Sequence, residues 1–144
     1  MGFAPIQYDS AEYRLECALR QEVLRVPLGL SLFDEDLSAE SAQQHFGWFI
    51  DDGTLAACAI SVILSPVEAK IRQMAVRVDC QGAGYGRMLM TSLERHLGKT
   101  GVRHLSLHAR LAVAGFYESL GFVKTRGPFI EVGIPHVKMV KEFR

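Results

Sequence analysis

Apolar positions along this chain change rhythm several times, and each change marks an element. After Asp9 and Ser10, the apolar residues Tyr13, Cys17 and Leu24 fall on a loose helical stripe, so the pattern predicts a helix over 10–26, capped by Ser10 and stopped by Pro27. A short strand over 6–8 precedes it. The stretch 28–38, with Asp34-Glu35-Asp36, reads as an exposed loop, and 40–45 as a second short helix. Strands over 46–50 and 54–64 flank Asp51-Asp52-Gly53, a favoured hairpin signal, and Ser65-Pro66 ends the second of them. A strand over 68–76 closes on Met74-Ala75-Val76. A glycine-rich loop then leads into an amphipathic helix with Met88, Leu89, Leu93 and Leu97 at helical spacing, closed by 98–101. The remainder reads as a strand over 102–109, a helix over 112–120 ended by Gly121, a strand over 122–125 and a last strand over 136–142.

Strands meander in the first half and alternate with helices only in the second. That order predicts a mixed α/β or α+β sheet rather than a uniform doubly wound one. The length of 144 residues, 49% of them hydrophobic, suits a single domain over 1–144. Sixteen Lys and Arg balance sixteen Asp and Glu, which argues against nucleic acid and anionic membrane as partners. The longest apolar run, 55–64, is interrupted by Ser61 and falls short of the roughly 17–25 residues a helical span needs. Because the N-terminus lacks the basic start and apolar core of a signal peptide, the expected setting is cytosolic. The three cysteines, Cys17, Cys58 and Cys80, form no CxxC pair and read as reduced thiols, Cys58 in the core and Cys80 in a loop. No metal spacing joins the five histidines; His45, His96 and His104 are expected at the surface, and Trp48 in the core.

The loop Gln81-Gly82-Ala83-Gly84-Tyr85-Gly86-Arg87 lies between a strand and a helix, where backbone N–H groups and the positive helix end can receive a phosphate. Its glycines admit backbone conformations closed to other residues and let phosphate oxygens approach. Gln81 and Arg87 can add side-chain donors. Neither common nucleotide motif fits: Arg87 stands where a dinucleotide fingerprint needs its third glycine, and no GK[ST] is present. On its own the loop could be a plain turn.

The loop and its surroundings resemble the GNAT superfamily of N-acetyltransferases. That signature joins a strand ending in Leu-Ala-Val, here Met74-Ala75-Val76, to an Arg/Gln-x-x-Gly-x-Gly/Ala loop, here Gln81 to Gly86. The likeness continues through Ala109 into Phe116-Tyr117-Glu118-Ser119-Leu120-Gly121-Phe122, similar to the family's FYxxxGF helix and strand, and covers the chain from about residue 55 onward. His108-Ala109-Arg110 and the segment 129–136 are similar to the ElaA-type branch. Val78 replaces a proline that many members carry, and Arg110 an asparagine that contacts the pantetheine arm.

The resemblance implies a GNAT fold: a mixed central sheet of six to seven strands with about four helices and a splayed strand at the acyl-CoA site. It implies acetyl-CoA as acyl donor, with Met74, Ala75, Val76, Gln81, Gly82, Ala83, Gly84, Tyr85, Gly86, Arg87 and Arg110 around it. The implied activity is transfer of an acetyl group to a primary amine, small molecule or peptide, by direct attack in a ternary complex; no metal is implied, and a homodimer stays open. Tyr117 is the family's usual general acid, and a phenol of pKa about 10 stays protonated beside a leaving thiol of about 8.5. A core aromatic at the same position is the alternative. For the general base, Glu131 stands ahead of His136, on a Gly- and Pro-containing loop that could wall the acceptor cleft, and His108 is next. A Glu could act through water if burial raises its pKa. The competing function is a non-catalytic acyl-CoA-binding or regulatory domain that keeps the loop without turnover.

Overall fold

The computed structural model describes residues 2–143; Met1 and Arg144, the ends of the domain expected over 1–144, lie outside the described residues. In chain order the elements are β1 (Gly2–Ile6), α1 (Ala11–Arg20), β2 (Gln44–Phe49), β3 (Leu55–Ser65), β4 (Glu68–Val76), α2 (Tyr85–Lys99), β5 (His104–Arg110), α3 (Ala114–Ser119), β6 (Val123–Glu131) and β7 (Ile134–Glu142). The strands form one sheet in the order β1-β2-β3-β4-β5-β7-β6. Neighbours are antiparallel except β4 and β5, which run parallel through the α2 crossover. The mixed sheet expected from the strand and helix order is therefore present, with three α-helices rather than about four among the described residues.

Ser10 caps α1 by accepting the Tyr13 N–H at 3.1 Å. The helix ends earlier than its apolar stripe suggests: after Arg20 it widens into a π turn, Gln21–Arg25, and then a 3₁₀ turn, Val26–Leu28. The second short helix is likewise only a 3₁₀ turn, Ser38–Ala42, since Gln44 and His45 already belong to β2. The stretch 28–38 is pinned by fully buried Leu32 and by an ion pair from Arg25 to Glu35, so it is not a free loop.

Leu89, Leu93 and Leu97 of α2 pack with Ile71, Leu105 and Leu107 on one face of the sheet, joined there by Ala114 and Tyr117 of α3. Tyr13, Cys17 and Leu19 of α1 cover Ile6, Cys58 and Ala75 on the other. β3 lies between these layers and is buried from Leu55 to Ser61, the reason its sequence reads as a continuous apolar run.

The strand expected over 122–125 and the loop expected after it are one nine-residue strand, β6. It pairs with β7 up to Glu131↔Ile134, leaving Val132 and Gly133, both at positive φ (46° and 79°), as a two-residue hairpin turn. Gly127 and Pro128 read as breakers in the sequence, yet β6 is the sheet's edge, where a residue without an N–H loses no ladder bond and register shifts are absorbed. No helix among the described residues is long and apolar enough to cross a membrane.

Candidate active site

The sheet opens between its two parallel strands. β4 and β5 pair only from Glu68↔His104 to Ile71↔Leu107. Beyond that point β4 stays with β3 as far as Val76, and β5 stays with β7 as far as Arg110. The divergence begins at a bulge: β3 advances two residues, Ile60 to Cys58, while β4 advances three, Arg72 to Ala75, and Gln73 takes a left-handed φ of 54°. The expected splayed strand is thus β4, and its edge toward β5 over Met74, Ala75 and Val76 has no partner strand. Met74 and Val76 turn toward α2, whereas Ala75 packs beneath α1 with Cys58.

The glycine loop follows β4. Gly82 and Gly84 hold φ of 83° and 89°, and a Cβ built on either would meet no protein atom within 4 Å. Gly84 is the N-cap of the fifteen-residue α2 and brings no capping side chain, so the first-turn N–H groups face outward unclaimed by one. Ala83 is exposed between them. Gly86 is different in kind. A Cβ there would stand 3.2 Å from Phe116 and Val76 and 3.3 Å from Met74, so this glycine lets α2 pack tightly against β4. Tyr85 packs against the same core. The polar side chains of the loop are engaged: Gln81 Nε2 donates to the Val76 carbonyl at 3.1 Å, and Arg87 donates to Ser119 Oγ at 2.8 Å, tying α2 to α3. Arg110 Nη2 donates to the Leu24 carbonyl at 3.1 Å, across the opening.

Tyr117 is 8% exposed, its ring set edge-on to Phe116 (5.1 Å between centroids) and Phe122 (5.9 Å). Burial pushes its phenol well above the ordinary tyrosine value against a smaller opposing pull from Arg110, so the group stays protonated at any physiological pH.

The three residues considered for a base come together at the end of β5 and the β6–β7 hairpin. His108 Nδ1 lies 2.9 Å from Glu131 Oε1, and His136 Nε2 lies 3.7 Å from Glu131 Oε2. A carboxylate can only accept, so His108 carries its hydrogen on Nδ1, which leaves the Nε2 lone pair available when the ring is neutral. His136 Nδ1 donates to the Ile134 carbonyl at 2.9 Å. Phe129 packs edge-on against the His108 ring at 5.0 Å. Burial works to raise the Glu131 pKa, but the hydrogen bond from His108 and the charges of His108, His136 and Lys70 outweigh it and hold the carboxyl below its ordinary value. Glu131 thus accepts from His108 Nδ1, with its carboxyl held below rather than above the ordinary value.

A second polar cluster lies beneath the cleft, and sequence reading missed it. Arg20, 1% exposed, donates to Glu16 at 2.8 Å and to both oxygens of Glu40 at 2.9 and 2.6 Å. Tyr13 Oη donates to Glu40 at 2.7 Å. His45, expected at the surface, is 3% exposed: Nδ1 faces the Glu16 carboxylate at 3.0 Å and Nε2 faces the Glu40 carbonyl at 2.9 Å. Both ring nitrogens face oxygens, an arrangement that the protonated ring satisfies in full. Burial pushes the His45 pKa down, but these contacts and the charges of Glu16 and Glu40 prevail and raise it. Glu16, Glu40 and His45 bring ligand-type atoms within 4.8 Å of one another, and the cation shared by the two carboxylates is Arg20. The signal in the sequence was Glu16 and Arg20 at i,i+4 on the same stripe as Tyr13, Cys17 and Leu24, two charges on an apolar face.

The acetyltransferase (GNAT) domain model matches residues 26–143. The Bacillus subtilis (strain 168) protein YyaT is 34% identical over 74 residues, which is 51% of this chain and 50% of YyaT, so the match spans about half the length of that relative. Among solved structures, Escherichia coli ElaA superposes with a TM-score of 0.81 at 21% identity, covering 97% of this chain and 98% of that one. An aminoglycoside 6'-N-acetyltransferase complexed with coenzyme A superposes with a TM-score of 0.74 at 14% identity, covering 99% and 97%. These two likenesses show the fold.

Proposed function

The chain belongs to the acetyltransferase (GNAT) family, and from that membership we propose that it transfers an acetyl group from acetyl-CoA to a primary amine by direct attack in a ternary complex. One observation carries the reading: β4 and β5 part beyond Ile71 and Leu107, and β4 leads from that opening into an uncapped helix N-terminus edged by two glycines at positive φ. The space that a Cβ at Gly82 or Gly84 would fill suits close approach of pyrophosphate oxygens to backbone N–H groups. When bound, acetyl-CoA supplies the thioester, its carbonyl carbon as electrophile and its sulfur as leaving group.

The unpaired edge of β4 past Ile71 offers N–H donors to the pantetheine arm and the acetyl oxygen. Tyr117 donates its phenolic proton to the departing sulfur. His108 Nε2 takes the proton released by the attacking amine, while Glu131 holds Nδ1 and draws an ammonium to that side of the cleft. The acceptor is a small amine or a peptide amine. We extend the reading to a cytosolic setting, which three unpaired thiols support.

The test is a panel of amine acceptors followed by CoA release, paired with calorimetry of CoA on Gly84→Ala. That methyl group meets no protein atom within 4 Å, so the fold loses only about 1–2 kcal/mol for the left-handed backbone. CoA should bind at least about tenfold more weakly, as expected where a Cβ intrudes on a backbone-bound phosphate. Unchanged affinity in the folded variant removes the pyrophosphate assignment, and tight CoA binding without release on any acceptor removes the transferase.

A further inference from the structure

The turn that follows α1 touches both sides of the opening. On the β4 side, Arg20 Nε donates to Gln73 Oε1 at 3.3 Å and Arg25 Nη2 donates to the same oxygen at 3.2 Å. On the β5 side, Arg110 Nη2 donates to the carbonyl of Leu24, one residue before Arg25. The π turn Gln21–Arg25 therefore grips β4 at its bulge and β5 at its last residue, where the two strands have stopped pairing with each other.

Both arginines of the β4 grip are themselves anchored. Arg20 is fixed by Glu16 and Glu40 in the buried cluster, and Arg25 by both oxygens of Glu35 at 2.6 and 3.2 Å. Gln73 needs holding. A residue with a Cβ at φ 54° carries backbone strain and persists only where its surroundings determine it, and here two guanidinium groups converge on its single side-chain oxygen. Without these contacts nothing in the strand ladder sets the distance between β4 and β5 beyond Ile71 and Leu107.

We propose that the turn Gln21–Arg25, together with Arg20, is a brace that fixes the width of the β4–β5 opening, with Gln73, Arg25 and Arg110 as positioning residues for the thioester arm of the acyl donor. The inference rests on reading that opening as the acetyl-CoA site. The brace acts on the part of the donor that enters between the strands and leaves the glycine loop alone, so its loss discriminates between two halves of one ligand.

The experiment is calorimetry of acetyl-CoA and of 3′-phospho-ADP, the fragment that reaches only the glycine loop, on wild type, Gln73→Ala, Gln73→Glu and Arg25→Met. Gln73→Ala should weaken acetyl-CoA about tenfold to hundredfold, as for lost hydrogen bonds from charged groups, and raise its KM, while 3′-phospho-ADP stays within about twofold. Gln73→Glu keeps an oxygen for both guanidinium groups and should restore acetyl-CoA binding. Arg25→Met leaves the bulge residue in place and should reproduce the selective loss, so a misfolded Gln73→Ala does not decide the matter. Equal weakening of both ligands, or unchanged acetyl-CoA binding in either folded variant, overturns the brace while the acyl-donor reading stands. A wild-type protein that binds neither ligand overturns that reading, and the brace with it.

Discussion

Arg20→Met removes the central cation of the buried cluster while keeping most of the side-chain volume. Four hydrogen bonds disappear, to Glu16 at 2.8 Å, to Glu40 at 2.9 and 2.6 Å and to Gln73 at 3.3 Å. Glu16 and Glu40 are then left with only His45 as a nearby basic side chain in the cluster, in a site from which water is excluded. Breaking a buried pair by deleting one partner costs about 3–5 kcal/mol, chiefly because the remaining charge has no compensation. A domain of this size has roughly 5–15 kcal/mol in all, so about a fifth of the stability or more is at stake. In urea denaturation followed by circular dichroism, the midpoint should fall by about 1.5–2.5 M at a slope of about 2 kcal/mol per M. A pH signature accompanies the loss. In wild type, burial pushes the Glu40 pKa up, but Arg20 and Tyr13 outweigh it and hold it below the ordinary value. Without Arg20 that carboxyl rises and takes up a proton more readily in the folded state, so the gap to wild type should narrow as pH falls from 7 toward 4.5. Adding Glu40→Gln should recover about 1–3 kcal/mol by removing the orphaned charge. A midpoint shift under about 0.5 M, with the slope unchanged, would refute the argument, because it would mean that the cluster is screened by solvent.

Tyr117→Phe keeps the ring contacts to Phe116 and Phe122 and should lower kcat by about 10²–10⁴-fold with acetyl-CoA affinity nearly unchanged; wild-type turnover with chemistry limiting would make Tyr117 a packing residue. Because burial raises its pKa, ionisation of Tyr117 should cause no loss of rate below about pH 10 in the wild-type profile. His108→Gln should cost about 10²–10⁴-fold in kcat/KM, and Glu131→Gln less, since an amide oxygen still accepts from Nδ1. Glu131 is held below its ordinary value of about 4.5, so Glu131→Gln should leave the shape of the rate profile above pH 5 unchanged; a limb lost there would make Glu131 the base. For His45 the folded pKa is raised, so its stabilisation is complete below the unfolded value of about 6.5 and is lost as pH rises through the folded one. Wild-type Tm should decline across that window, His45→Gln should flatten the slope, and parallel curves would show that the ring is neutral.

The chain's local grammar sets more of this protein than its length suggests. Ser10 caps α1, Gly53 turns the β2–β3 hairpin, and the leucines of α2 mark a buried face, because capping, positive φ and periodicity are settled by residues a few positions apart. For the same reason the glycine loop was legible: Gly82 and Gly84 declare a backbone requirement that no neighbour can alter. Gly86, identical in the sequence, is a packing residue only because Val76 and Phe116 arrive from distant positions.

Other features were decided by the tertiary structure. His45 is a core residue rather than a surface one because Glu16, twenty-nine positions earlier, meets it. Glu131, His136 and His108 were rivals for one role in the sequence; the β6–β7 hairpin brings them side by side, with Glu131 between the two imidazoles. The opening itself arises where a parallel pair stops, at a bulge held by arginines 53 and 48 positions away. Local propensity acts over a turn or two of chain, whereas charge pairing, burial and strand separation depend on which distant groups share a space. Only the folded sheet determines that.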